Sequence, residues 1–177
     1  KLDFSLTNDQ KKTLSEINKD LGSENKMFRL LQGDVGSGKT IVSLLSAFNT
    51  INSGFQVAVM APTEILARQH FLLAKKIFPK DIRIELLSGK STYRDKKDIL
   101  DRLLKKQIDI IFGTHALFQK KIEFKKLGLI VIDEQHKFGV NQRKKLSDKG
   151  GIDCDVLLMT ATPIPRTLTM TIYGDMD

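Results

Sequence analysis

Six short apolar runs punctuate the chain, at residues 27–32, 55–60, 82–87, 108–112, 127–132 and 156–159. Several are nearly continuous in Val, Ile, Leu and Phe instead of alternating with polar residues. That is the pattern of strands buried on both faces of a parallel sheet. The segments between them read as helices. Thr7 stands as the N-cap of one that carries Leu14, Ile17 and Leu21. A second runs from about Lys39 to Asn52, and Pro79 stops a third that passes through residues 65–78. Strand and helix in alternation predict an α/β sandwich with a mainly parallel central sheet and right-handed crossovers. In such sheets ligands sit beyond the carboxyl ends of the strands, so chemistry is expected directly after the apolar runs. No repeat, low-complexity stretch or Pro/Gly/Ser-rich linker divides the chain, and residues 1–177 read as a single domain.

The first run leads into Gly33-Asp34-Val35-Gly36-Ser37-Gly38-Lys39-Thr40, which satisfies G-x-x-x-x-G-K-[ST]. Glycines let a backbone wrap so that successive N–H groups point at phosphate oxygens with no Cβ in the way. The helix that follows adds its positive N-terminal end. Lys39 is expected at the β- and γ-phosphates of ATP, and the Thr40 hydroxyl on Mg²⁺. A plain glycine-rich turn would not need a buried strand before it and a helix after it.

The fifth run ends in Asp133-Glu134-Gln135-His136. Two acids at the mouth of a buried strand are costly without a compensating cation. Mg²⁺ bound partly by Asp133 supplies one. Glu134, next along, is then expected to orient and deprotonate the attacking water.

Composition narrows the class of protein without naming it. The 177 residues are 41% hydrophobic and 28% charged, enough for one sizeable core, and no stretch has the length of a membrane span. One cysteine, Cys154, excludes an internal disulfide and fits a reducing compartment, and three histidines make a structural zinc site a poor match. The chain starts Lys1-Leu2-Asp3 with no initiator Met and no signal core, which reads as a cut through a longer protein or a processed start. The net charge of +8 suits a polyanionic partner and is concentrated in residues 75–106 and 120–149. Solvated helix faces would give the same excess.

The acidic box and four further stretches carry a family resemblance. Asp133-Glu134-Gln135-His136 resembles the D-E-x-H form of the DEAD/DEAH box of superfamily 2 helicases. Ala61-Pro62-Thr63-Glu64-Ile65-Leu66-Ala67 resembles motif Ia, Gly113-Thr114-His115-Ala116-Leu117 motif Ib, and Thr160-Ala161-Thr162-Pro163 motif III. Leu6-Thr7 with Gln10 is similar to the upstream Q-type motif. The wording G-D-V-G-S-G-K-T, D-E-Q-H-K-F-G-V-N-Q-R over 133–143 and M-T-A-T-P-I-P-R-T-L over 159–168 resembles the RecG family of bacterial DNA helicases. The transcription–repair coupling factor shares the last of these but carries Glu at the position of Gln135.

The resemblance implies a RecA-like P-loop NTPase sandwich forming the first of two motor lobes. A wedge domain that grips branched DNA and a second lobe with an arginine finger would belong to the rest of the same chain. It also implies a monomeric cytoplasmic bacterial protein, with no membrane, that uses ATP and Mg²⁺ to remodel forks and junctions in DNA repair and recombination. Residue by residue, Gln10 would bond the adenine and His136 would join the nucleotide and the contact between lobes. Pro62, Thr63, Gly113, Thr114 and His115 would meet the DNA backbone, and Thr160, Ala161 and Thr162 would link hydrolysis to movement. Without the resemblance, a small-molecule P-loop kinase and a binding module with a vestigial ATP site stay open, as does RNA in place of DNA. His70, inside an apolar helical stretch, reads as structural, and Cys154 as an inert small residue. Phe138 is divided between packing in the core and filling the gap between lobes, and Arg166 between DNA coupling and a surface salt bridge.

Overall fold

The computed structural model describes residues 5–23, 26–119, 122–134 and 154–161. Every apolar run is a strand: β1 (Phe28–Gln32), β2 (Gln56–Met60), β3 (Ile84–Leu87), β4 (Ile110–Gly113), β5 (Leu127–Glu134) and β6 (Asp155–Thr160). They form one sheet in the order β1-β6-β5-β2-β4-β3, and every described pairing is parallel. The helices are α1 (Asn8–Leu21), α2 (Lys39–Asn52), α3 (Glu64–Ile77) and α4 (Tyr93–Leu104).

The period-two alternation of a strand sorts its side chains into two cores. Val57, Val59, Ile110, Phe112, Leu129, Val131, Leu157 and Met159 share one core with residues of α1, α2 and α3. Ala58, Met60, Ile111, Ile130, Ile132 and Leu158 face the opposite way, against Ile99 and Leu103 of α4. Helices thus cover both faces, which is why the central strands read as continuous apolar runs. Alanines let α3 approach the sheet closely: Ala67 and Ala74 are buried, with His70 between them in the same stripe.

Three helices start on a threonine that caps them. Thr7 accepts from the Gln10 amide, Thr63 from Leu66 and Thr92 from Asp95. Thr7 and Gln10 close a full capping box, since the Gln10 Oε1 accepts in return from the Thr7 amide at 3.0 Å. Helix α2 is the exception. It starts on Gly38, has no side-chain cap and carries no acid in its first turn.

Polar groups inside the molecule are tied to backbone. Gln56, fully buried, donates to the Leu103 and Ile108 carbonyls at 3.0 and 2.8 Å and accepts from the Lys126 amide at 3.0 Å. Asp109 accepts the amide, Nε and Nη2 of Arg83 at 2.8, 2.9 and 2.6 Å. Several charges of the basic stretch 75–106 are therefore internally paired. Besides Arg83, Arg102 meets Glu85 at 2.9 Å, and Lys105 meets Asp101 at 2.6 Å.

Candidate active site

The carboxyl ends of neighbouring strands bring distant motifs into line. Gln32 of β1 pairs with Thr160 of β6, and Thr160 pairs with Glu134 of β5. The Gly33 amide donates to the Thr160 carbonyl at 3.3 Å, which fastens the start of the glycine loop to the motif III strand. On the far side of β5, β2 delivers Ala61, Pro62 and Thr63, and β4 delivers Gly113 and Thr114. The Ala61 amide donates to the Gly113 carbonyl at 2.9 Å. The row divides naturally. The glycine loop, the motif III stretch and the acidic pair lie at the ends of β1, β6 and β5, and the motif Ia and Ib segments at the ends of β2 and β4.

The glycine loop has the geometry its spacing predicts. Gly36 and Gly38 both sit at φ +83, a left-handed conformation that L side chains rarely adopt. A Cβ on Gly38 would also run into Gln10 Nε2, and one on Gly33 would lie 2.8 Å from Ser37 Oγ. The Ser37 amide donates to the Asp34 carbonyl at 3.1 Å to close the turn. The Lys39 ammonium lies within it, 2.5 Å from the Gly33 carbonyl, 2.7 Å from Asp34 and 3.4 Å from Ser37 Oγ. Val35, at the tip, is 90% exposed. The uncapped start of α2, with its unmatched positive end, is the chemistry of an anion site.

Gln10 reaches this loop instead of standing apart from it. Its Nε2 donates to the Ser37 carbonyl at 2.9 Å, so the Q-type segment braces the cradle as well as capping α1. At β5, Asp133 is half-buried, and its Oδ2 lies 2.6 Å from Nε2 of the buried His70. Glu134 is the last residue of that strand. Among the described residues no cluster of three or more His, Cys, Asp or Glu forms a ready-made metal cage. The donors present, the Asp133 carboxylate and the Thr40 hydroxyl, are hard oxygens too few to hold a metal alone. They fit Mg²⁺ delivered with phosphate oxygens that complete its shell.

On the other half of the row, Pro62, Thr63 and His115 are exposed and Thr114 is half-buried. Thr114 precedes the short 3-10 turn His115–Phe118 without capping it through its side chain. Thr160 is buried and Ala161 follows it in a bend. Gln135, His136, Phe138, Thr162, Pro163 and Arg166 lie outside the described residues.

Two contacts escaped the motif reading. His70 is structural in its burial, as its apolar setting suggests, yet it bonds Asp133 of the D-E-x-H box. Its place in the Ala67, His70, Ala74 stripe was the available signal. The Glu64 carboxylate accepts from the Gly89 amide, with Ser88 Oγ at 3.4 Å, and so ties the start of α3 to the loop after β3. Cys154 is buried, and burial together with the Asp155 charge pushes its thiol up to about 12, an inert group as expected.

A three-layer parallel α/β sheet with a glycine cradle after its first strand and an acidic pair at the end of its fifth defines a RecA-like nucleotide-binding lobe. The DEAD/DEAH box helicase profile matches residues 7–171, and the chain belongs to that family. It is similar to ATP-dependent DNA helicase RecG of Bacillus subtilis, 53% identical over 177 residues that cover 99% of this chain and 26% of that protein. RecG of Streptococcus pneumoniae serotype 4 is 52% identical over 176 residues, again 99% of this chain and 26% of the relative. A solved structure of RecG bound to a three-way DNA junction superposes with a TM-score of 0.84 at 47% identity, covering 98% of this chain and 23% of that one. The chain thus spans about a quarter of the length of the curated relatives it matches. No helix among the described residues is long and apolar enough to cross a membrane.

Proposed function

We propose that residues 1–177 are the first motor lobe of an ATP-dependent DNA helicase that remodels branched DNA, regressing stalled forks and migrating Holliday junctions in repair and recombination. The observation that carries this reading is the single row of motifs along the carboxyl edge. The uncapped, glycine-wrapped start of α2 lies on one side of the acidic end of β5, and the motif Ia and Ib segments lie on the other. A small-molecule kinase has no use for the second half of that row. The similarity to RecG, which has been solved on a three-way DNA junction, favours branched DNA over RNA.

In this reading the loop Gly33, Asp34, Val35, Gly36, Ser37 and Gly38 wraps the phosphates of ATP with its amides, and Lys39 exchanges loop carbonyls for β- and γ-phosphate oxygens. Thr40 and Asp133 hold Mg²⁺, which neutralises charge on the phosphates. Glu134 aligns the water and takes its proton as it attacks the γ-phosphorus in line. Gln10 meets the adenine from its post on the loop, and His136 stands at the boundary with a second lobe. Pro62, Thr63, Gly113, Thr114 and His115 contact the DNA backbone, so binding is independent of sequence and weakens with salt. Thr160, Ala161 and Thr162 carry the change at the γ-phosphate across to that half. The rest of the protein supplies the second lobe and a wedge domain, and the whole works as a cytoplasmic monomer.

Glu134→Gln in the full-length protein tests the assignment. It should bind ATP within a few-fold of wild type and lose turnover by about 10²–10⁴-fold, the usual worth of a general base. A variant that hydrolyses at the wild-type rate would remove Glu134 from the mechanism.

A further inference from the structure

The metal-binding carboxylate is held by a residue outside every motif. Helix α3 turns Ala67, His70 and Ala74 toward the sheet, and between two small alanines the histidine is 7% exposed. A buried imidazole is costly unless its ring nitrogens find partners. Its Nε2 lies 2.6 Å from Asp133 Oδ2. Strand parity makes the contact possible: Leu129 and Val131 face the core shared with α3, and Asp133 follows them in the same period.

We propose that His70 is a positioning residue for the metal site, fixing the Asp133 carboxylate through Oδ2 so that its other oxygen is presented to Mg²⁺. This rests on the reading of Asp133 as a metal ligand. The torsion that turns an aspartate carboxylate is broad and roughly two-fold, so without a partner the group would sample many orientations. One short hydrogen bond from a rigid, buried ring removes that freedom before the metal arrives. Partners of this kind, behind a metal's direct ligands, are worth about 10–100-fold in metal affinity or activity. Helix α3 also begins at Glu64, just after the Pro62-Thr63 segment of the DNA-facing half. The same rigid element therefore bounds both halves of the row.

The test uses the full-length protein and a fluorescent, non-hydrolysable ATP analogue titrated over a range of Mg²⁺ concentrations. His70→Leu should raise the Mg²⁺ needed for half-maximal tight binding by about 10–100-fold, while leaving metal-free analogue affinity and Tm near wild type. His70→Gln, whose amide nitrogen has comparable reach, should recover most of the loss. His70→Asn, polar but too short, should behave like the Leu variant, a comparison that holds even if the Leu variant melts early. Equal Mg²⁺ dependence in wild type and all three variants, or an equal defect in Gln and Asn, overturns the positioning role. Asp133→Asn separates this from failure of the site itself. If that substitution does not shift the Mg²⁺ dependence, Asp133 is not a metal ligand and both readings fall.

Discussion

At the scale of residues, two aspartates differ because their partners differ. Asp133 meets the single imidazole of His70 through Oδ2 and is proposed as a metal ligand. Asp109 has both oxygens engaged by Arg83 and is a structural clamp between the start of β4 and the segment before β3. Burial raises the Asp109 carboxyl, but the side-chain and backbone bonds from Arg83, with the nearby Lys106 charge, outweigh it and hold the group below its ordinary value. A depressed folded value means stability that is present above the unfolded value, about 3.9, and lost as pH falls through the lower folded one. Arg83 is nearly half exposed, which tempers the magnitude. Asp109→Asn should therefore cost about 1–2 kcal/mol near neutrality, and it should flatten the loss of stability as pH falls below about 4. Urea melts across that range check both statements. An unchanged acid limb would leave the clamp without electrostatic weight. The glycine cradle and the D-E box were legible at this scale because each is contiguous in sequence. The His70–Asp133 bond was not, since its partners lie 63 positions apart and one of them looks like core.

At the scale of elements, all six strands were legible from apolar runs, and the boundaries of α2 matched to the residue. A strand buried on both faces cannot afford polar interruptions, so its limits show plainly in the sequence. The order β1-β6-β5-β2-β4-β3 was not legible in the same way. Right-handed crossovers constrain the hand of each step and not the distance it travels. The insertion of β6 between β1 and β5 is what brings Thr160 beside both the phosphate loop and the acidic pair. Buried Gln56 is the polar exception inside a strand, and its three bonds join β2 to the end of α4, the start of β4 and the start of β5. Gln56→Leu fits the space but leaves the Lys126 amide without that acceptor, which should cost about 1–3 kcal/mol. Chemical denaturation of the two proteins measures it. A neutral result would show that the Lys126 amide finds another partner.

At the scale of the whole molecule, the proposed reading makes the row of motifs along one sheet edge half of a machine. The cradle, the acidic pair and the proposed DNA-facing segments would all lie in this lobe, with the γ-phosphate site facing a second lobe of the intact protein. An arginine finger supplied from outside such a site is worth about 10³–10⁵ in rate for related phosphoryl-transfer enzymes. Residues 1–177 alone should therefore turn over ATP very slowly and unwind nothing. The full-length protein should hydrolyse rapidly only with DNA in place. The most direct test is steady-state ATP turnover by the full-length protein and by the isolated chain, each with and without forked DNA. The fork should strongly stimulate the full-length protein and have almost no effect on the isolated chain. A full-length protein indifferent to every DNA offered would leave the phosphate cradle intact and contradict the motor.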